Sequence, residues 1–411
     1  MDHICYADFE ASTDGVHKPY CCCFNIDGVD GYYYGWGCNI QFLNKLETGS
    51  LVYFHNLSYD ICFIIDHLDW IANNPIIKGG RTYSLKGSYK GKKLWFKDSL
   101  AIIPVSLSRF PKMFGLDSGR KEVFPYKYYS SERTNQIWGD VREAMEYVKE
   151  EDREAFMKNV DEIAKGEDGK FNMRDYCVFY CKQDVNILRK GFEWFRESVM
   201  KEFELDVYDF VSISSIANKV MEMRCYWLNG NLYDLANTPR EFISRCITGG
   251  RCMLRDEMKV RSDNVVVDFD AVSLYPSAMA RLYCLEGMPE VLSGEMLSSE
   301  YLMSHLFEDE QEEAMGERFI SGFFVEVEIK QVRKKRHFPM IVSGEDGCQS
   351  VCCGRCYVDH IAFEDLVKYF GVEMKVIRGY YYRDNRDFRR SLRICLNSGG
   401  NMQLKKIHYR R

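Results

Sequence analysis

His3-Ile4-Cys5-Tyr6-Ala7-Asp8-Phe9-Glu10 is the stretch from which the rest of this chain is read. Its first five residues read as a buried strand that delivers Asp8 and Glu10 at its end. Residues two apart on a strand project to one face, so both carboxylates can reach a common ligand. Two later stretches carry related chemistry: His55-Asn56-Leu57-Ser58-Tyr59-Asp60, which follows a strand at Leu51 to Phe54, and Tyr180-Cys181-Lys182-Gln183-Asp184. Asn172 is placed to cap a helix running to about Met200, on which Tyr176, Tyr180 and Asp184 share one face. Hard carboxylate oxygens suit Mg²⁺ or Mn²⁺, and two such ions about 3.5–4 Å apart can cleave a phosphodiester. A tyrosine hydroxyl beside them stays protonated at neutral pH and can orient a water. Taken singly, each stretch is weak evidence, and a buried salt-bridged acid is the default explanation. Metal-assisted cleavage requires that the three meet in space.

The bulk composition bounds this reading. A chain of 411 residues with 46% apolar content implies two or three domains with real cores. A formal net charge of −6 gives no general affinity for nucleic acid, so any such binding needs local basic surface. The 27 tyrosines and 26 phenylalanines suit base stacking, and equally suit large aromatic cores. Seventeen cysteines without a signal peptide point to reduced thiols in an intracellular compartment (host cytoplasm, organelle or viral replication compartment), not to secretion. No window of 18 apolar residues implies a membrane span. The cluster Cys348, Cys352, Cys353 and Cys356, with His360 nearby, lacks zinc-knuckle spacing and reads as a hairpin with incidental thiols.

Strand-like and helical pieces alternate along the first half. Cys21 to Ile26 and Tyr32 to Trp36 form a hairpin around Asp27-Gly28. Asp60 is expected to open an apolar helical stretch from Ile61 to Ile71, and Asp140 to Ala164 reads as a solvated charged helix. Acids at strand ends followed by helices indicate an α/β layer with a site at one sheet edge. A second region begins near Asp206. It holds a strand at Val265 to Asp270, a turn into a helix at Ser273-Leu274-Tyr275-Pro276-Ser277, and Gly249-Gly250, where backbone can approach closely. Phe319 to Lys330 alternates like a strand, and Arg333-Lys334-Lys335-Arg336 reads as a solvated hairpin tip.

Ordered together, the three acidic stretches closely resemble the Exo I, Exo II and Exo III motifs of the proofreading domain of family B DNA polymerases, nearest to their protein-primed branch. The resemblance implies that Asp8, Glu10, Asp60 and Asp184 bind two Mg²⁺ or Mn²⁺ ions and that Tyr180 orients the water. It implies that His55, Asn56, Tyr59 and Phe63 hold a frayed single strand, that Ser99-Leu100 adds a contact to it, and that Lys121 supports the cleaved phosphate. Ala11 stands where some members carry a threonine. Asp270 to Ser277 looks like the D-x-x-S-L-Y-P-S motif of family B palms, which makes Asp270 a metal ligand and Ser273, Leu274 and Tyr275 nucleotide-binding. Thr248-Gly249-Gly250 resembles the Y-x-G-G element that tracks template, with Ile247 in place of the tyrosine. Val358 to Leu366 and Arg378 to Tyr382 resemble the insertion that engages the terminal protein.

The implied fold is a ribonuclease H-like 3′–5′ exonuclease domain over 1–200, then part of an α+β palm over 201–330. A terminal-protein-region-like insertion over 331–394 and an out-of-frame tail over 395–411 complete it. The fingers lysine motif and the second palm acid pair have no counterpart. Back-translation of Cys395 to Arg411, shifted by one base, yields a string that looks like the family's fingers helix, so a frameshift near Ile394 is expected. Expected partners are single-stranded and primer-template DNA, a terminal protein primer, and a deoxynucleotide only if the palm is completed. Other readings stay open: the first half of a split working polymerase, a non-catalytic fragment binding DNA or terminal protein, or a chain that aggregates because residues from about 255 onward lack core partners.

Overall fold

The computed structural model describes residues 3–72, 74–116, 123–223, 235–250, 274–275, 283–306, 320–336, 339–344 and 347–387. The chain divides into two compact units, Met1–Lys219 and Val220–Arg411. Among the described residues no helix is long and apolar enough to cross a membrane.

The first unit is built on β1 (His3–Ser12), flanked by β2 (Lys18–Ile26) and, beyond it, β3 (Val29–Tyr34). Helix α1 (Cys38–Lys45) leads to β4 (Ser50–Phe54), and α2 (Leu57–Asp60) follows it. Strands β5 (Trp70–Ile71), β6 (Ile76–Lys78), β7 (Arg81–Tyr89) and β8 (Lys92–Asp98) complete an eight-stranded sheet of order β3-β2-β1-β4-β8-β7-β5, with β6 pairing β7. β1, β4 and β8 run parallel to their neighbours in that trio, and the rest of the sheet is antiparallel. β1 therefore sits centrally, and its charged residues lie within the strand, not at its end as the first five residues suggested. The strand continues because Glu10 still pairs with Cys21 and Ser12 with Lys18.

The β2–β3 connection is the expected hairpin. Asp27 (φ 50°) and Gly28 (φ 87°) both adopt the left-handed conformation that a two-residue turn of this twist requires. Asp60 departs from expectation. It closes the one-turn helix α2 and is followed by short 3₁₀ turns at Ile61–Phe63 and Ile65–His67, so no continuous helix runs to Ile71. The next residues enter β5, whose pairing with β7 outcompetes local helix propensity.

Helices α3 (Ser99–Ile102), α4 (Phe110–Phe114), α5 (Val141–Glu146) and α6 (Arg153–Asn159) are short; β9 (Trp138–Asp140) pairs with β10 (Lys170–Asn172). The long helix α7 spans Met173–Phe203. Its register is set by Asn172, whose side chain accepts the Asp175 N–H at 3.1 Å. Gly191 lets α7 approach α4: a Cβ there would stand 2.4 Å from the Phe110 ring.

The two faces of the sheet are covered differently. Phe9, Phe24 and Phe54 pack against Phe42 of α1. Tyr6 and Tyr53 pack against Phe192 of α7. Each buried aromatic of this kind contributes about 1.5–3 kcal/mol, enough to pin β1 between the two helices.

In the second unit β11 (Tyr283–Glu286) pairs antiparallel with residues Asp384–Asp387, and a six-stranded sheet has the order β12-β17-β13-β16-β14-β15. Its strands are β12 (Glu290–Val291), β13 (Gly322–Val332), β14 (Ile341–Gly344), β15 (Gly347–Ser350), β16 (Gly354–Asp359) and β17 (Val372–Tyr382). The helix His360–Phe370 buries Phe363 and Leu366 with the apolar residues of this sheet. One sheet thus takes strands from both sides of residue 330. Cys348 lies on β15, and β14 and β15 pair as the expected hairpin. Lys121, Asp270, Ser273, the strand expected at Val265 to Asp270, Pro276-Ser277 and the tail 395–411 lie outside the described residues.

Candidate active site

On β1 the residues alternate: Phe9 points to α1, whereas Asp8 and Glu10 point to α7. Glu10 is buried, and a thiol of α7, Cys181, reaches the Asp8 carboxylate at 3.8 Å and the Asp8 carbonyl at 3.5 Å. Ligand atoms of Asp8, Glu10 and Cys181 all lie within 4.8 Å of one another. Burial, then the nearby charge of Asp8, Asp184 and Asp60, holds the Glu10 carboxyl well above the usual range. Asp60 is raised for the same reasons, burial first and Asp8 next. Asp8 is pushed up by burial to about 7, although the Cys181 thiol and the Phe9 N–H pull it back. Glu10 thus feels the charge of Asp8, Asp60 and Asp184, and Asp60 feels that of Asp8. Carboxylates that share a buried floor without a cation destabilise one another, so this floor favours a divalent ion.

Asp60 gives a second, independent observation. It is 3% exposed, and its Oδ1 is buried without a hydrogen-bond partner. Leaving such an oxygen unmet costs about 1–3 kcal/mol, and more when the group is charged. An oxygen-seeking cation would meet it, a need that hard ions such as Mg²⁺ or Mn²⁺ suit.

Tyr180 lies on α7 one turn before Asp184. Its hydroxyl is 2.7 Å from that of Tyr126, and its ring stacks on Phe124 at 4.7 Å. Burial, with Asp184, Tyr126 and Glu10 nearby, pushes its pKa upward, so the hydroxyl keeps its proton. Tyr126 is a partner that the sequence reading did not single out.

The segment 55–60 is held by a buried carboxylate that the sequence reading passed over. Asp98 Oδ1 accepts the N–H groups of Asn56 and Leu100, both at 3.0 Å. Its Oδ2 accepts Arg81 Nε at 2.9 Å and Nη2 at 2.8 Å. Asn56 can thereby take φ 85°, and α2 turns so that Asp60 points into the floor. Ser58 Oγ accepts the Thr82 N–H at 2.9 Å and ties α2 to β7.

The residues expected to hold a single strand are distributed along this turn. His55 Nε2 donates to the Val105 carbonyl at 2.9 Å, so Nε2 carries the proton. Burial depresses its pKa, which leaves Nδ1 as an acceptor for the Ser99 hydroxyl at 3.0 Å. That hydroxyl proton is shared with the Phe54 carbonyl at 2.9 Å. His55 and Ser99 thus lock β4 to α3, with Leu100 half-buried beside them. Asn56 presents its side chain to solvent. Tyr59 is half-buried, with its hydroxyl 3.1 Å from His17 Nδ1 and its ring edge-on to Phe63 at 5.2 Å. Phe63 belongs to the core.

In the second unit, Gly249 and Gly250 are exposed, and a Cβ on either would meet nothing within 4 Å. Thr248 and Gly249 line a cavity of about 440 Å³ together with Cys246, Met340, Asp359 and Asp365. Leu274 and Tyr275 are exposed.

Residues 45–382 match the family described as DNA polymerase type B, organellar and viral. The chain is 26% identical over 263 residues to a probable DNA polymerase of Ascobolus immersus, covering 62% of this chain and 21% of that protein. It is 25% identical over 257 residues to a probable DNA polymerase of Neurospora intermedia, covering 60% and 26%. To a DNA polymerase of Kluyveromyces lactis it is 22% identical over 308 residues, covering 67% and 29%. The chain thus spans between a fifth and a third of the length of these relatives. Its fold resembles Phi29 DNA polymerase complexed with primer-template DNA, with a TM-score of 0.57 at 15% identity, covering 96% of this chain and 66% of the other. The same polymerase complexed with single-stranded DNA gives a TM-score of 0.56 at 16% identity, with the same coverage.

Proposed function

Because the chain belongs to the organellar and viral type B DNA polymerases, we propose that its first unit is a 3′–5′ exonuclease that trims single-stranded DNA ends with two divalent ions. The observation that carries this reading is the floor made of buried Glu10 and Asp60 with half-buried Asp8, one of whose oxygens, Asp60 Oδ1, has no partner. Asp8, Glu10, Asp60 and Asp184 would hold Mg²⁺ or Mn²⁺. When bound, such ions activate a water and neutralise the charge that builds on the phosphate and the leaving oxygen. Tyr180, kept protonated and backed by Tyr126, donates to and orients the attacking water. Tyr59 and Asn56 lie at the open side of the same turn, where they can hold an unpaired 3′ end. Phe63, His55, Ser99 and Leu100 support that turn from beneath, and Lys121 is assigned to the cleaved phosphate.

The whole protein is proposed to be an intracellular, protein-primed DNA polymerase that works on primer-template DNA and deoxynucleotides and is primed by a terminal protein. Asp270 would hold its catalytic metals, Ser273, Leu274 and Tyr275 its nucleotide, and Gly249-Gly250 its template backbone. The exposed, unencumbered backbone at that glycine pair supports close approach of another chain. The test is Mg²⁺-dependent trimming of an end-labelled single strand. Trimming should be lost in Asp8→Ala plus Glu10→Ala. Undiminished trimming by that variant overturns the reading.

A further inference from the structure

Beside the carboxylate floor lies a cluster of another chemical kind. Cys21 and Cys23 stand two apart on β2, which places both on the face turned to α7, and α7 contributes Cys181. All three are fully buried, and their sulfurs lie within 4.8 Å of one another. The sulfurs of Cys21 and Cys23 are 4.0 Å apart. Two thiolates bound tetrahedrally to one zinc-class ion, at about 2.3 Å each, sit roughly 3.8 Å apart. A fourth thiol, Cys177, lies one turn before Cys181 on α7, near enough to Cys21 to push its pKa upward.

The metal-free contacts here are poor ones. Cys23 donates to the Val178 carbonyl at 3.7 Å, and Cys181 divides its proton between two oxygens of Asp8 at 3.5 and 3.8 Å. Thiols are weak donors, so these contacts give little energy, and packing alone would be served by any small apolar residue. Elsewhere among the described residues the thiols do not converge in this way. Cys62, Cys348, Cys352 and Cys353 are exposed, and among the described residues they form no such cluster.

We propose that Cys21, Cys23 and Cys181 form a site for one soft divalent cation of the zinc class, separate from the carboxylate site. The ion forms a sulfur bond to each cysteine as the thiol protons leave to solvent, so the loaded site carries one net negative charge with three thiolates. Lys182 and Arg174 of α7 lie over the ring of Tyr32, the residue opposite Cys23 in the sheet, and put positive charge on that flank. Sulfur ligands select zinc-class ions, whereas the neighbouring oxygens select magnesium, so two metals are sorted at adjacent places. Loading has a consequence that rests on the exonuclease reading. Cys181 exchanges its proton for negative charge beside Asp8, which raises the affinity of the carboxylate site for its own divalent ions, so trimming reaches its full rate at lower Mg²⁺.

The experiment uses Cd²⁺ as the probe on the full chain, reduced and held in excess Mg²⁺ so that the carboxylates are filled. One tightly held Cd²⁺ per chain is expected, with the ultraviolet cadmium–thiolate band. The band should disappear in Cys21→Ser plus Cys23→Ser and persist in Cys348→Ser plus Cys352→Ser plus Cys353→Ser. On the unsubstituted chain, cadmium should shield Cys21, Cys23 and Cys181 from alkylation in urea just below the unfolding midpoint, a readout that needs no substitution. Absence of the band, its survival undiminished in the Cys21 and Cys23 variant, or shielding of other cysteines only, overturns the proposal. None of these readouts uses nuclease activity, so failure of the exonuclease reading leaves this test intact.

Discussion

Asp98 and Asp60 are both buried aspartates of the first unit, at the two ends of one short stretch of structure, and they are handled in opposite ways. Asp98 is saturated: two backbone N–H groups and two guanidinium N–H groups fill its oxygens. Asp60 has an oxygen facing nothing, next to carboxylates that repel it. A saturated buried acid holds the chain together, because every lone pair is spent on the protein. An unsaturated one in company with others of its charge is held in place for something else. The first kind lends stability, and the second consumes it in order to be ready for a ligand.

Substitution should separate the two kinds. Asp60→Asn should reduce trimming by about 10³-fold while leaving the urea midpoint unchanged or raised, since it removes a buried repulsion. A large loss of stability in that variant would break the contrast. Asp98→Ala should do the reverse, lowering unfolding free energy by about 3 kcal/mol because it strands Arg81 and two N–H groups. Urea unfolding measures this directly, and trimming should fall as the 55–60 turn loosens. Tyr180→Phe should keep the fold and slow trimming about 10- to 100-fold by losing the water-orienting hydroxyl. The smallest effect concerns pH. Asp8 has a folded pKa near 7, above its unfolded value, so the folded state binds that proton more tightly. Its contribution is present at low pH and is lost as pH rises through 7. In EDTA the melting temperature should therefore fall by about 2–4 °C between pH 6 and 8, and Mg²⁺ should flatten the slope. A flat profile in EDTA would mean that burial does not hold the Asp8 carboxyl in its protonated form.

What could be read in the sequence was local. The alternation that puts Asp8 and Glu10 on one face, the Asp27-Gly28 turn and the Asn172 cap each need only a few neighbouring residues. The order of the three acidic stretches added the family. Asp98 was missed because its partners, Asn56, Leu100 and Arg81, are brought together only when β4, β7 and β8 lie side by side. The signal available was an acid between a strand and Ser-Leu-Ala, the pattern of a helix cap. Tyr126 reaches Tyr180 across 54 positions of sequence, with Phe124-Pro125 as its only local mark. Cys21 with Cys23 and Cys177 with Cys181 each had same-face spacing, but nothing in either pair named the other. Asp60 was misplaced by about a turn because an apolar run after it resembled a helix, while pairing of β5 with β7 decided otherwise.

The cap at Asn172 has a consequence for how this sequence can change over generations. Helix α7 advances 1.5 Å and turns 100° per residue from that fixed start. Tyr180 and Asp184 work only because eight and twelve residues separate them from the cap. One inserted or deleted residue between 173 and 183 would swing Asp184 a quarter turn or more away from the floor. Past Asp184 the same event would shift only packing against Phe192 and beyond. Descendants of this chain should therefore keep the count from Asn172 to Asp184 fixed, even where they replace most of the residues counted.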